Sequence, residues 1–585
     1  MKNDYKALFP YLYRYRVRYF WGFIFLIMVD AAQVIIPFFL QKSIDAIYYS
    51  SVTGWTSLLP LVGGMVLMMT VISCGRFLWR YFIHGSARRI EAEMRDDFFA
   101  HILTLSYDFF QKNKIGDLMA RATNDMNTIR TAIGMGFVAI FDGTVMAVSI
   151  LVIIFVQDAR TAALAVLPLP LVTVLILLFG NLVGKRFQKA QETYSSMSNI
   201  VQETFAGVRV VKSFVKEWYF LRQFADTNDD YRKANMDLVK LYGVFFPLIS
   251  FFSGLTSIIL LVVGGIRVVN GLMTPGELTA LFRYLQMLIW PLMGAGFMVN
   301  MVQRGAVSLR RINEVMSAKP LIASSGGKAH EAPKDSPIIQ VKSLTFAYDE
   351  KAPALKDISF TLEQGEILGI LGKTGSGKTT LIKALTRMVE PPRGAVLVDG
   401  IDAREWDLAE FRGFFSVVPQ DSYLFSDSIK SNVAYGVDGT DEQALQKAVI
   451  MASIDRDLAD FAQGWDTVIG EKGLTISGGQ KQRVAIARAV AKLAYTHSRI
   501  MVLDDSLSAV DAETEKRILA NLFENLRGTT AIIISHRVST LSRADKVIVL
   551  EGGAIVEYGP PELLAAGNGF YAKINSLQQA QPVVV

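Results

Sequence analysis

The sequence predicts an α-helical membrane domain with six transmembrane helices, fused to an α/β domain, and three observations carry that expectation. Of its 585 residues, 51% are hydrophobic and the mean hydropathy is +0.31, too apolar for a pair of soluble domains. The apolar excess lies in the first half, where six long stretches stand out. The second half holds a complete phosphate loop, Gly372-Lys373-Thr374-Gly375-Ser376-Gly377-Lys378-Thr379, matching G-x-x-x-x-G-K-[ST].

The six stretches are 19–41, 58–82, 129–156, 161–183, 241–266 and 276–303. Each can cross a hydrocarbon core of about 30 Å. Gly, Pro and isolated polar residues interrupt the last four, which transmembrane helices tolerate where a neighbour satisfies the backbone. Arg14, Arg16 and Arg18 precede the first span, and Arg88, Arg89, Lys112, Lys114, Lys185, Arg186 and Lys189 fill the even-to-odd connections. The other connections carry few basic residues, such as Lys42, Arg160 and Arg267. Basic residues stay on the cytoplasmic side, so both termini are expected there. The net charge of +6 belongs to this asymmetry, and no nucleic-acid surface is expected from it. The first stretch is too long for a signal peptide and has no plausible cleavage site. The single cysteine, Cys74, excludes an intrachain disulfide and suggests no metal site.

Three charges, Asp30, Asp142 and Arg283, fall within apolar spans. Intramembrane ionisable groups face the bundle interior or water. Two acids in a cavity suit amphipathic cations; a structural pair of Asp30 or Asp142 with Arg283 or Arg76 is the alternative. The many Met and Phe residues of the spans can form an adaptable binding surface, although lipid contact and helix packing account for them equally well.

In the second half, the strand-like run Ile367-Leu368-Gly369-Ile370-Leu371 leads into the phosphate loop, and a helical pattern with Leu381, Leu385 and Met388 on one face leads out. An ordinary Gly-rich turn has no need of both. The glycines let the backbone wrap phosphates, Lys378 offers a point charge to the terminal ones, and Thr379, followed by Thr380, can ligate Mg²⁺. Ile500-Met501-Val502-Leu503 reads as a strand buried on both faces of a parallel sheet. It ends in Asp504-Asp505, at the carboxyl edge where such sheets bind ligands, and Asp504 is expected to hold the magnesium through water. Ala531-Ile532-Ile533-Ile534 ends in Ser535-His536 and brings His536 to the same edge. Ser477-Gly478-Gly479-Gln480 is a capping box whose two glycines expose backbone N–H groups at the positive end of a helix.

With these motifs in this order, the chain resembles the ATP-binding cassette (ABC) transporters over essentially its whole length, the family signature reading Ile476-Ser477-Gly478-Gly479-Gln480. The resemblance implies the cofactors ATP and Mg²⁺. It matches Tyr348 to the aromatic that stacks on adenine, Gln420 to the glutamine that touches Mg²⁺ and the membrane domain, and His536 to the switch histidine at the γ-phosphate. It matches Ser508-Ala509-Val510-Asp511 to the loop crossing to the partner cassette, and Gly470-Glu471-Lys472-Gly473 to a segment, typical of exporters, that senses the membrane helices. Ile115 to Arg121 and Val215 to Tyr219 resemble the two coupling segments; a merely solvated turn would not need the apolar Phe214, Trp218 and Phe220. The expected organisation is a membrane domain at 1–319 with long cytoplasmic extensions, a linker at 320–337 rich in Ser, Gly and Pro, a cytoplasmic nucleotide-binding domain at 338–575 and a flexible tail at 576–585. One phosphate loop and no internal repeat imply a half-transporter that must dimerise within the bilayer, and the domain order implies an exporter rather than a binding-protein-dependent importer.

One position departs from the family. Most cassettes carry a glutamate after the magnesium aspartate, to position or deprotonate the attacking water, and here Asp505 stands there. Its carboxylate is withdrawn by on the order of 1 Å, which can cost about a hundredfold in rate; a backbone shift would let Asp505 still help. Such an Asp resembles the degenerate-site subunit of heterodimeric bacterial multidrug exporters. The expectation is therefore a heterodimer with a second half-transporter. In it this chain's own site is slow, and its signature completes the partner's fast site; a homodimer with two slow sites is the alternative. The expected cargo is small amphipathic drugs or other hydrophobic compounds. A dedicated lipid, peptide or siderophore, or a nucleotide-sensing regulatory role, is the competing expectation.

Overall fold

The computed structural model describes residues 4–49, 55–322, 336–348, 352–437, 442–461, 463–470, 476–496, 498–525 and 528–580. Contacts divide the chain into two units: Met1–Thr104 with Lys114–Ala318, and Leu105–Asn113 with Lys319–Val585.

The first unit is built of helices α1 (Arg16–Tyr48), α2 (Trp55–Thr104), α3 (Ile115–Gln157), α4 (Ala159–Ala206, with a turn at Leu167 and Pro168), α5 (Glu217–Val269) and α6 (Pro275–Met316). The first five are long and apolar enough to cross a membrane. The sixth apolar stretch lies in α6, several of whose side chains fall outside the described residues. The helices outrun the apolar stretches that announced them. At 53 residues, α5 spans about 80 Å at the helical rise, far more than the hydrocarbon core needs. The even-to-odd connections, residues 83–128 and 184–240, are thus mostly helix.

Small residues let these helices approach closely. A Cβ on Gly22 would stand 2.3 Å from Ile83, and one on Gly75 would stand 2.6 Å from Val29, so α1 and α2 pack backbone to side chain. Thr274 and Glu277 form a capping box at the start of α6. Asp45 of α1 clamps the same turn, accepting from the Thr274 hydroxyl at 2.9 Å and from the Gly276 N–H at 2.8 Å. Lower in the bundle Tyr284 donates its hydroxyl to the Val34 carbonyl at 2.8 Å. In α3, two π-helical segments, Arg121–Asp125 and Ala132–Gly136, interrupt the regular spacing.

The second unit holds two sheets. Strands β1 (Ile339–Phe346), β2 (Leu355–Leu362), β4 (Val396–Val398) and β5 (Ile401–Asp402) form an antiparallel sheet in the order β2-β1-β4-β5. The other is ordered β10-β9-β3-β8-β7-β6, from β3 (Ile367–Gly372), β6 (Phe415–Val418), β7 (Ile500–Asp504), β8 (Thr530–Ile534), β9 (Lys546–Glu551) and β10 (Ala554–Gly559). All of its pairs are parallel except β9 with β10. Along β7, Ile500 and Val502 join one buried cluster while Met501 and Leu503 join another. Both faces are covered, which is why the strand reads as an unbroken apolar run. Parallel pairing brings the carboxyl ends of β3, β8, β7 and β6 to one edge, with Ile370 opposite Ile534 and Asp504 also opposite Ile534.

Two sequence expectations shift. The segment Leu105–Asn113, including the short helix Tyr107–Lys112, groups with the cassette, whereas Ile115–Arg121, expected to be the first coupling segment, opens α3 of the helical unit. Lys383 sets its ammonium 4.9 Å from the centre of the Tyr107 ring, and the Ser106 hydroxyl accepts from the Ile322 N–H at 3.0 Å. At the other end, the helix Phe570–Ala580 carries regular structure into the segment expected as a tail from 576. Residues 323–335 of the expected linker, and Glu471, Lys472 and Gly473, lie outside the described residues.

Candidate nucleotide-binding site

Strand β3 ends at Gly372, and the phosphate loop enters helix α7 (Lys378–Leu385) through Gly375 at φ +80° and Gly377 at φ +103°. Only glycine takes such angles without strain, and a Cβ at Gly377 would also stand 2.8 Å from the Ala354 carbonyl. Lys378 is buried and donates to the carbonyls of Gly372 at 2.7 Å and Lys373 at 2.9 Å. Burial holds its ammonium below the usual lysine pKa, partly offset by the charges of Asp505 and Asp504. The Ser376 hydroxyl is buried and, among the described residues, has no hydrogen-bond partner. A loop whose lysine falls back on its own carbonyls beside an unsatisfied hydroxyl is a cradle built for an anion.

Asp504 closes β7 and is only 5% exposed. Burial raises its pKa above the usual carboxylate range, against the opposing Thr379 hydroxyl bond and the nearby Lys378 and Lys383. Thr379 and Asp504 thereby present two hard oxygen ligands side by side, the donor type a magnesium-sized ion takes. Asp505 takes a left-handed backbone at φ +46°. Its N–H donates to the Ile534 carbonyl at 3.1 Å and its carbonyl accepts from the Ser508 hydroxyl at 3.0 Å. It lines a cavity of about 100 Å³ together with Ser535, His536 and Arg537. His536 is exposed, and its loop is pinned by Gln578, which donates to the His536 carbonyl and accepts from the Val538 N–H, each at 2.8 Å. Tyr348 is 42% exposed, with its hydroxyl 3.4 Å from that of Thr380. Gln420 is exposed two residues past β6, beside β7 in the sheet.

The signature stands at the head of helix α8 (Gly478–Tyr495). The Ser477 hydroxyl accepts from the Gln480 N–H at 3.2 Å, and the Gln480 side chain accepts from the Ser477 N–H at 2.9 Å. The capping box therefore leaves the N–H groups of Gly478 and Gly479 available beside an exposed Ser477. Beneath it, Gln480 donates to Asp457 at 2.9 Å, Arg483 pairs with Asp457 at 2.6 Å, and Gln482 accepts from the Ala509 N–H at 3.0 Å. The first two braces tie the signature to Asp457, and the third ties it to the Ser508–Asp511 loop. Lys481-Gln482-Arg483 directly after the signature was their one visible trace in the sequence.

Comparison with known proteins settles the family. The "Probable multidrug resistance ABC transporter ATP-binding/permease protein YheI" of Bacillus subtilis is 35% identical over 97% of this chain and 96% of its own length. The chain belongs to the ABC transporters. Residues 19–292 match the family model for the ABC transporter transmembrane region, and residues 355–508 match the one for the ABC transporter. Similar too are the "Multidrug resistance-like ATP-binding protein MdlA" of Escherichia coli, at 32% identity over 96% of this chain and 95% of that one, and the "ATP-dependent lipid A-core flippase" of Syntrophus aciditrophicus, at 30% over 94% and 91%. The fold matches that of a bacterial Atm1-family ABC exporter with ATP bound, with a TM-score of 0.77 at 24% identity over 97% of this chain and 99% of that one. This ABC transporter is a multi-pass membrane protein and an exporter-type half-transporter, and its cassette is an ATP-binding, ATP-hydrolysing translocase domain.

In the membrane domain of this ABC transporter the two intramembrane acids come together, and Arg283 turns to a different neighbour. Asp30 of α1 is 2% exposed, and among the described residues no donor reaches either of its oxygens. Asp142 of α3 faces it within hydrogen-bonding reach and is itself faced by Arg76 of α2. Arg283 is exposed and turns to Gln286 at 3.4 Å.

Proposed function

We propose that this chain is the degenerate-site half of an asymmetric, ATP-driven exporter of amphipathic compounds. It resides in the cell membrane with both termini and the cassette in the cytoplasm. The observation that carries this reading is the contrast within one cassette. The signature is an intact, braced capping box, whereas Asp505 is one methylene short of the usual glutamate and has both of its backbone groups bonded in place. An asymmetric dimer uses the first in the partner's ATP site and tolerates the second in its own. The turn between α4 and α5 supports dimerisation: Phe214 is 71% and Trp218 81% exposed, an apolar tip that calls for a covering surface. Relatives named for multidrug resistance and for lipid A-core flipping favour cargo with an apolar body and a polar head.

In this reading the Lys378 ammonium leaves the carbonyls of Gly372 and Lys373 and donates to the terminal phosphates. Ser376 finds its missing acceptor on the same group, Tyr348 supports the adenine with its ring, and His536 contacts the γ-phosphate. Thr379 and Asp504, with Gln420 at the same edge, would hold magnesium, which would supply charge neutralisation on the phosphates. Closure of two cassettes around ATP, passed to the helices by the coupling segments, switches the cavity outward, and hydrolysis resets it.

Affinity purification from the native membrane with mass spectrometry tests the pairing. Recovery of a second half-transporter carrying Glu after its magnesium aspartate supports the asymmetric machine; recovery of this chain alone refutes it. Asp505→Asn should leave most transport intact, and near-complete loss of ATPase in that variant would also refute it. Asp504→Asn should behave differently. Because burial raises the Asp504 pKa on folding, the folded state binds that proton more tightly than the unfolded chain. Stability is therefore lost as pH rises from the ordinary carboxylate value through the raised one. The Asn variant should melt at the same or a slightly higher temperature without ligand. It should lack the stabilisation that Mg-ATP confers on the native protein, about 2.7 kcal/mol at a hundredfold excess over Kd. Thermal shift with and without Mg-ATP reads both effects.

A further inference from the structure

Asp30 and Asp142 meet inside the membrane domain in a way that two ionised carboxylates cannot sustain. Asp30 is 2% exposed, and among the described residues neither of its oxygens has a donor. The polar group that faces it is the carboxyl of Asp142, within hydrogen-bonding reach. Ionised carboxylates only accept hydrogen bonds. Two acceptors turned toward each other repel, and a buried carboxylate without donors is among the costliest groups to seal from water. A proton on either carboxyl turns the contact into an O–H···O bond and supplies the donor that Asp30 lacks.

We propose that Asp30 and Asp142 together hold one exchangeable proton that clasps α1 to α3 within the membrane domain.

The surrounding charges fit one proton rather than none or two. On α2, Arg76 faces Asp142 and lies 3.5 Å from the side-chain oxygen of Gln33 on α1. On α6, Arg283, one residue from the Tyr284 that bonds Val34, is exposed and turned to Gln286. A singly protonated pair carries one negative charge, which Arg76 balances. Loss of the proton leaves a second, uncompensated charge in a medium of low dielectric. Asp142 is half-buried where Asp30 is sealed, so the proton exchanges through Asp142. The sealed position of Asp30 suits a proton better than an organic cation, which needs surface to contact. The clasp is a property of the helical domain and does not rest on the exporter reading.

The test is infrared difference spectroscopy of the full-length protein in lipid nanodiscs, titrated with pH. A protonated carboxyl has a carbonyl stretch separate from the carboxylate and amide bands, and ¹³C-labelled aspartate assigns it to an Asp without any substitution. The native protein should show such an aspartic-acid band at neutral pH, fading as pH rises. Asp30→Asn and Asp142→Asn should each remove it. In either variant the new amide supplies the N–H donor that the remaining carboxylate needs, so the fold is retained. Thermal stability in the same nanodiscs should fall with rising pH over the interval where the native band fades, and both variants should lose that dependence. Absence of an aspartic-acid band at neutral pH overturns the proposal. So does a band that Asp30→Asn removes but Asp142→Asn leaves unchanged, which would mark a lone buried acid rather than a shared proton.

Discussion

Gly478→Asp should abolish ATP turnover by the assembled transporter, a fall of at least about a hundredfold, while leaving nucleotide binding at this chain's own phosphate loop intact. The expectation follows from where Gly478 stands. It is the first residue of α8 and exposed, and among the described residues its N–H makes no bond, because Ser477 and Gln480 satisfy each other. A Cβ there would meet only the Cβ of Ala509, at 3.8 Å, so a side chain fits without disturbing the cassette. An aspartate at a helix N-terminus is favourable by about 0.3–1 kcal/mol through the helix dipole. The variant should therefore melt no lower than the native protein while losing activity, a combination that misfolding cannot produce. The loss arises because the carboxylate occupies the surface offered to the partner's phosphate and repels it. Steady-state ATPase, binding of a fluorescent ATP analogue and thermal melting of the purified assembly read the three quantities. Turnover within threefold of native would mean that this signature faces no nucleotide.

What the sequence disclosed follows from how far apart the cooperating residues lie. The phosphate loop, the signature and Asp504-Asp505 are contiguous, so residue type and spacing alone carry them. The alternation of β7 between two buried clusters left its mark as Ile500 to Leu503. Helix lengths were less legible, because α5 runs on through polar residues once its apolar stretch ends. The grouping of Leu105–Asn113 with the cassette depends on contacts such as Tyr107 with Lys383, from residues with no local pattern in common. The sequence left Arg283 and Arg76 as alternative partners for the intramembrane acids, because both share their apolar setting. Which face of a helix a residue takes is a matter of packing, and Arg283 turns to Gln286 while Arg76 faces Asp142. The left-handed backbone of Asp505 was equally hidden, since φ is set there by bonds to Ile534 and Ser508.

That backbone makes Asp505→Glu the sharper probe of the slow site. A flexible loop could advance an aspartate and recover the reach of a glutamate. Here the N–H of Asp505 is held by the Ile534 carbonyl at 3.1 Å and its own carbonyl by the Ser508 hydroxyl at 3.0 Å, so the missing length must come from the side chain. Adding one methylene moves the carboxylate on the order of 1 Å further into the cavity shared with Ser535 and His536, and a displacement of that size is worth about a hundredfold in rate. The gain has a structural cost. Aspartate accepts the left-handed region more readily than glutamate, because its short side chain can bond locally, so the variant should lose about 1 kcal/mol of stability. Faster and less stable is the expected pair of outcomes, read as phosphate release in assemblies whose other ATP site is disabled, and as thermal melting. If Asp505→Glu hydrolyses no faster than the native chain, the reach of the carboxylate is not what limits this site, and the division into a slow and a fast site loses its chemical basis.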